Sequence, residues 1–188
     1  MAFPPAHMLI GIGLAEVACA AMRDPPPRRF AWGVAAVLAA APDGDIILGI
    51  LMGRGGALHG TFTHSLTAAA VVALVAYAFG GGRWAAIAGI GYASHLLLDL
   101  LDESGPTNLM LGWPFTGAQP YSLGKVFPKV PLQGEGVMDT ARELLRPQPL
   151  LLLMLQTLMA AAVFGALVLA ARWMRGARGR RAGAAAAD

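Results

Sequence analysis

The sequence predicts an all-α protein: a polytopic membrane helical bundle of about five helices, some short or broken, with a long outer loop between the fourth and the fifth. Three observations carry that class. The 188 residues are 56% hydrophobic and only 13% charged, about half the charge of an ordinary soluble domain. Apolar runs recur along most of the chain and leave no room for a separate soluble domain. All four histidines fall at one end of those runs, each near a carboxylate or another histidine.

The first run covers residues 7–22 and holds Cys19, the only cysteine, so a disulfide framework and a thiolate metal site are both excluded. It has no basic segment before it and no small-residue cleavage site, which predicts a retained helix and not a signal peptide. The second run, 30–41, continues at 46–52 after an interruption at Pro42-Asp43-Gly44-Asp45. Proline removes a helical donor and glycine admits an irregular turn. Irregular backbone at membrane depth is tolerated only against protein or a wet cavity, so this acidic turn should face a cavity. The third and fourth runs cover 65–79 and 84–101, and the fifth covers 149–171. Only the fifth comfortably reaches the roughly 20 residues that cross the hydrocarbon; four or five spans would use most of the chain.

Residues 102–148 form the outer loop. Its first half is rich in glycine, proline and aromatics (Trp113, Phe115, Tyr121, Phe127) and should pack over the mouth of the bundle. Near 137–146, Val137, Met138, Ala141, Leu144 and Leu145 make an apolar stripe opposite Asp139, Arg142, Glu143 and Arg146, an amphipathic helix for the membrane surface. Residues 1–175 then form a single membrane-embedded domain, and 176–188 a disordered, basic cytoplasmic tail.

Charge sets the expected orientation. With the N-terminus outside, nine basic residues (Arg23, Arg28, Arg29, Arg83, Arg172, Arg175, Arg178, Arg180, Arg181) lie inside, against five outside (Arg54, Lys125, Lys129, Arg142, Arg146). That is the positive-inside bias, so the net charge of +3 reads as a topology signal and not as nucleic-acid binding. The same topology brings every histidine to the outer face.

Seven residues at that level are candidate metal ligands: His7, Asp43, Asp45, His59, His64, His95 and Asp99. His95 and Asp99 are four apart and share a helical face. Gly44 lets Asp43 and Asp45 turn toward one point, while His59 belongs to a loop and His64 to the first turn of the third helix. Nitrogen and oxygen donors without thiolate suit one or two divalent ions, zinc first and manganese next. Seven ligands exceed one tetrahedral site, and two ions about 3.5–4 Å apart would use them all. Thr63 and Ser65 flank His64 and should orient ligands by hydrogen bonds. Asp102 or Glu103, just past the ligand helix, is positioned as general acid or base. Glu16 lies deep in the first helix on the face opposite His7 and should pair with a serine or threonine inside the bundle.

Pro42-Asp43-Gly44-Asp45, His59 with Thr63-His64-Ser65, and His95-Leu-Leu-Leu-Asp99 with Gly105 and Trp113-Pro114-Phe115 together resemble the bacterial LexA-regulated, inner-membrane-associated metal-dependent hydrolase family (YdjM-like). The likeness covers about residues 7–115. It implies a multi-pass protein of the bacterial inner membrane and, through a distant similarity to zinc-dependent phospholipase C, hydrolysis of a phosphoester on a lipid or lipid-linked substrate. This chain has Gly60 where the family usually has arginine, and Asp102 where threonine is frequent. Arg54, Lys125 and Lys129 are the remaining candidates for holding a phosphate. Two other readings use the same residues: a metal-ion or proton transporter, and a non-catalytic membrane scaffold.

Overall fold

Proline opens the first helix where its missing N–H costs nothing, and glycine or proline punctuates most later boundaries. The computed structural model describes residues 3–54, 58–102, 107–128, 130 and 137–185. Among these lie seven α-helices: α1 (Pro4–Ala21), α2 (Arg28–Ala40), α3 (Gly44–Leu51), α4 (Leu66–Gly80), α5 (Gly82–Asp99), α6 (Val137–Leu144) and α7 (Pro147–Ala185). A 3-10 turn, Phe62–His64, leads into α4. Two short strands, β1 (Thr107–Leu109) and β2 (Gln119–Tyr121), pair antiparallel with Thr107 opposite Tyr121. The five apolar runs are all helical, the second split into α2 and α3 with a 50° bend at the Pro42–Asp43 break. The amphipathic segment forms α6.

Helix α1 is the hub, packed against α2, α5 and α7, while α4 rests on α5. Small residues set these distances, because helices in lipid associate by close van der Waals packing and not by hydrophobic expulsion. A Cβ on Gly11 would sit 2.7 Å from the Ala39 Cβ, and one on Gly91 would sit 2.9 Å from the Ala35 Cα. One face of α2 is therefore gripped by a glycine from α1 and a glycine from α5. The largest exposed apolar side chains include Leu74 and Phe79 of α4 and Leu151, Leu158 and Leu169 of α7, an outer surface suited to lipid.

By length and composition α1 and α7 can each cross a membrane, and the bent α2–α3 pair makes a third if its two helices form one broken span. This is fewer than the four or five spans read from the sequence. Helix α4 has only 15 residues, and α5 carries Arg83, Ser94, His95 and Asp99. A second correction concerns the tail: α7 stays helical to Ala185 instead of becoming disordered after Arg175. Alanine and arginine are strong helix formers, and Arg178 donates to the carbonyls of Ala20, Ala21 and Met22 at the end of α1.

Glu16 also differs from expectation. It is fully buried, but its partners are two arginines and a tryptophan instead of a hydroxyl. Arg28 Nη2 and Arg175 Nη2 lie 2.7 and 2.8 Å from Oε1, and Trp32 Nε1 donates to Oε2 at 2.9 Å. The sequence reading placed Glu16 correctly inside the bundle but did not account for the reach of arginine from a neighbouring helix end.

Of the four loop aromatics only Phe127 reaches the core; Trp113 and Phe115 are exposed and Tyr121 is half-buried. Phe127 is buried with Ala6, Ile10, Leu98 and Ala160. Backbone bonds from Met110 to Gly60 and from Leu66 to Leu111 fasten the loop to the His59–His64 segment. Gln156 of α7 donates to the Pro128 carbonyl and accepts from the Phe3 amide, tying loop and N-terminus to the last helix.

Candidate metal centre

Four pieces of chain deliver the polar residues to one end of the bundle. α1 brings His7 from its first turn, and the α2–α3 bend brings Asp43 and Asp45. The loop before α4 brings His59 and His64, and the last turns of α5 bring His95 and Asp99. All seven candidate ligands converge. His7, His64 and His95 are fully buried and Asp45 and Asp99 nearly so, whereas Asp43 and His59 keep 10% and 21% of their side-chain surface and form the open edge.

Asp99 is the inner hub. Its Oδ2 lies 3.2 Å from His95 Nε2 and 3.4 Å from His64 Nε2, and its Oδ1 lies 3.7 Å from His7 Nε2. The His7 and His95 rings stack with centroids 3.9 Å apart. Asp45 is the outer hub, with Oδ1 3.0 Å from His59 Nδ1 and Oδ2 3.2 Å from His64 Nδ1. Thr63 Oγ1 donates to that same Oδ2 at 2.6 Å. His64 thus has one carboxylate at each ring nitrogen.

One hydrogen bond dictates the tautomer of His95. His95 Nδ1 is 2.8 Å from the Ala39 carbonyl, which can only accept, so Nδ1 carries the proton. In a neutral ring Nε2 then presents a lone pair. His64 has a carboxylate at both ring nitrogens, so either can carry its proton, and its Nε2 faces that of His95 at 3.1 Å beside the Asp99 carboxylate. A cation bound among these buried, electron-rich atoms would offset their repulsion. A histidine whose other nitrogen is held by a carbonyl or carboxylate is the usual metal-ligand arrangement.

The donor set fits a divalent metal on a second observation. Asp43 Oδ1 is buried and has no hydrogen-bond partner among the described residues, although it lies 3.6 Å from His95 Nε2 and 4.0 Å from His59 Nδ1. Asp43 precedes α3, yet its side chain makes no capping bond there. Two groups of three, His7–His95–Asp99 and Asp43–His59–His64, each bring ligand atoms within 4.8 Å of one another, so each could hold an ion.

The flanking residues divide. Thr63 donates to Asp45 and lies 3.1 Å from His64 Nδ1. Ser65 acts elsewhere: it caps α4 by accepting from the Ala68 amide at 3.0 Å and donates to the Phe62 carbonyl. It therefore steadies the turn bearing His64, a 3-10 turn just before α4 and not that helix's first turn. Asp102 is buried, three residues past Asp99, where its backbone bridges to Phe127. Arg54 and Lys125 are exposed. Glu103 and Lys129 lie outside the described residues.

The sequence reading missed Tyr92, whose hydroxyl donates to the Thr63 carbonyl at 2.7 Å. Its spacing of three from His95, which places both on one face of α5, was the available signal.

These observations define a class, the helical membrane proteins with a buried histidine–aspartate cluster at one end of the bundle. The chain belongs to the YdjM inner membrane protein family, whose model matches residues 1–178. No curated protein and no solved structure matches the chain.

Proposed function

We propose that this protein is a membrane-bound metal-dependent hydrolase that cleaves a phosphoester of a lipid or lipid-linked substrate. The observation that carries the reading is the convergence of His64 Nε2, His95 Nε2 and Asp99 Oδ2 within 3.1–3.4 Å, with the far nitrogen of each ring held by another acceptor. His7, His95 and Asp99 would hold one ion and Asp43, His59 and His64 a second, zinc or manganese by donor type. Held by these residues, a divalent ion would supply an activated water near neutral pH and Lewis-acid stabilisation of the attacked oxygen.

The protein's own groups orient and exclude. Asp45 and the Ala39 carbonyl orient the rings, and the buried floor of His7, His64 and His95 keeps bulk water to the open edge at Asp43 and His59. Asp102 and Glu103, beyond Asp99, are the candidates for protonating the leaving group. Arg54, Lys125 and Lys129 of the loops are candidates for meeting a phosphate. The positive-inside bias supports a centre at the periplasmic face of the inner membrane and a C-terminus in the cytoplasm. A transporter reading is less well supported, because Glu16, the buried carboxylate at the other end, is occupied by Arg28, Arg175 and Trp32.

The test is metal analysis of detergent-purified protein beside His64→Ala and Asp99→Ala, followed by release of water-soluble head group, phosphorylated or not, from phospholipids. One to two ions per chain, lost in both variants together with activity, is the expected result. A protein that takes up neither zinc nor manganese would overturn the reading.

A further inference from the structure

Helices α2 and α4 both lean on α5 but leave a gap between themselves. Gly91 of α5 receives α2 at Ala35, while Gly89, two residues earlier and so on another side, receives α4, where a Cβ would sit 3.2 Å from the Ala73 Cβ. Between the two contacts runs an apolar cleft of 490 Å³, lined by Val34 and Leu38 of α2, Val71, Val75 and Phe79 of α4, and Trp84 of α5. Its lining is almost wholly hydrocarbon, and Val71, Val75 and Phe79 are strongly exposed, so it opens sideways toward lipid.

Its upper end points to the candidate metal centre. Leu38 lies on the same helix as Ala39, which holds His95, and five residues before Asp43 on the centre's open edge. Ala88 precedes His95 by seven residues on α5, roughly two helical turns or about 10 Å, and Val71 lies on the second turn of α4, which begins at Leu66 just after His64. An amphiphile lying along α2 would place apolar chain in the cleft and a polar head at Asp43 and His59.

We propose that this cleft seats one acyl chain of a membrane phospholipid whose head group lies at the histidine–aspartate cluster. The proposal rests on the lipid-hydrolase reading for its chemistry and on the cleft for its geometry. Acyl chains are as apolar as leucine, so the cleft gains nothing from hydrophobic expulsion. What it supplies is orientation: a chain held between α2 and α4 fixes the depth and direction of its own head group.

The test uses the full-length, metal-loaded protein in nanodiscs of phosphatidylethanolamine and phosphatidylglycerol, doped with phosphatidylglycerol bearing a mid-chain diazirine. Photolabel should concentrate on Leu38, Val71 and Val75 over the more exposed Leu158 and Leu169 of α7. It should do so in Asp99→Ala as well, and fall in Val75→Trp, which fills the cleft from its exposed wall. Val75→Trp should retain its metal and its turnover of water-soluble dihexanoyl phosphatidylglycerol. Its turnover of long-chain phosphatidylglycerol should drop on the order of tenfold or more, with Leu158→Trp unchanged. Label spread evenly over α4 and α7 would leave only ordinary boundary lipid and overturn the cleft, whatever the hydrolase assay gives. Label confined to the cleft, with no phosphoester cut by the metal-loaded protein, would retain the lipid seat and overturn the hydrolase reading instead.

Discussion

His95 Nδ1 lies 2.8 Å from the Ala39 carbonyl, and that contact joins the packing of the bundle to the chemistry of its polar end. The carbonyl can only accept, so Nδ1 carries a proton and, in the neutral ring, the lone pair of Nε2 faces Asp99 and His64. Ala39 is in place because Gly11 lets α1 approach it and Gly91 lets α5 approach Ala35 one turn earlier.

Asp45 holds Nδ1 of both His59 and His64, which is the position of an orienting carboxylate more than of a direct ligand. Asp45→Asn should therefore keep the fold and weaken zinc affinity about 10–100-fold, the usual cost of losing such a partner. Competition with a chelator of known affinity measures it. Complete loss of metal, equal to that in Asp99→Ala, would make Asp45 a direct ligand.

Gly91→Leu should push α2 away from α5, since even a Cβ would come within 2.9 Å of backbone at Ala35. Overpacking of this kind costs about 1–3 kcal/mol. The variant should show a lowered melting temperature in detergent together with reduced metal occupancy, because Ala39 moves with α2. Stability lost with occupancy intact would uncouple packing from the cluster.

Glu16→Gln should cost about 1–2 kcal/mol, since the half-exposed Arg28 and Arg175 can turn to solvent when their buried acceptor loses its charge. Thermal denaturation in detergent reads the cost, and metal stoichiometry should not change. A parallel loss of metal would show that the two polar ends are coupled, which a one-faced hydrolase does not need.

The arginine distribution predicts a cytoplasmic C-terminus. A cytoplasm-active reporter fused after residue 188 should be functional, and a periplasm-active reporter there should be silent. The reverse pattern would move the cluster to the inner face and remove the periplasmic placement.

The sequence by itself determined the helical class, the apolar runs and the seven residues that meet at one end. Hydropathy and histidine–aspartate spacing are local properties, and lipid leaves helices as the simplest way to satisfy backbone polar groups. The break at Pro42–Asp43 was legible for the same reason, since proline and glycine act on their own backbone. The tertiary structure decided what depends on distance between helices. It alone assigned Ala39 as the acceptor for His95, Asp45 as the shared partner of His59 and His64, and Tyr92 as the support of Thr63. It replaced an expected hydroxyl partner of Glu16 with two arginines, one of them 159 residues away. It also turned Ser65 from a ligand-orienting residue into a helix cap. Such pairings are set by crossing geometry and small-residue contacts, to which a linear pattern of hydropathy is blind.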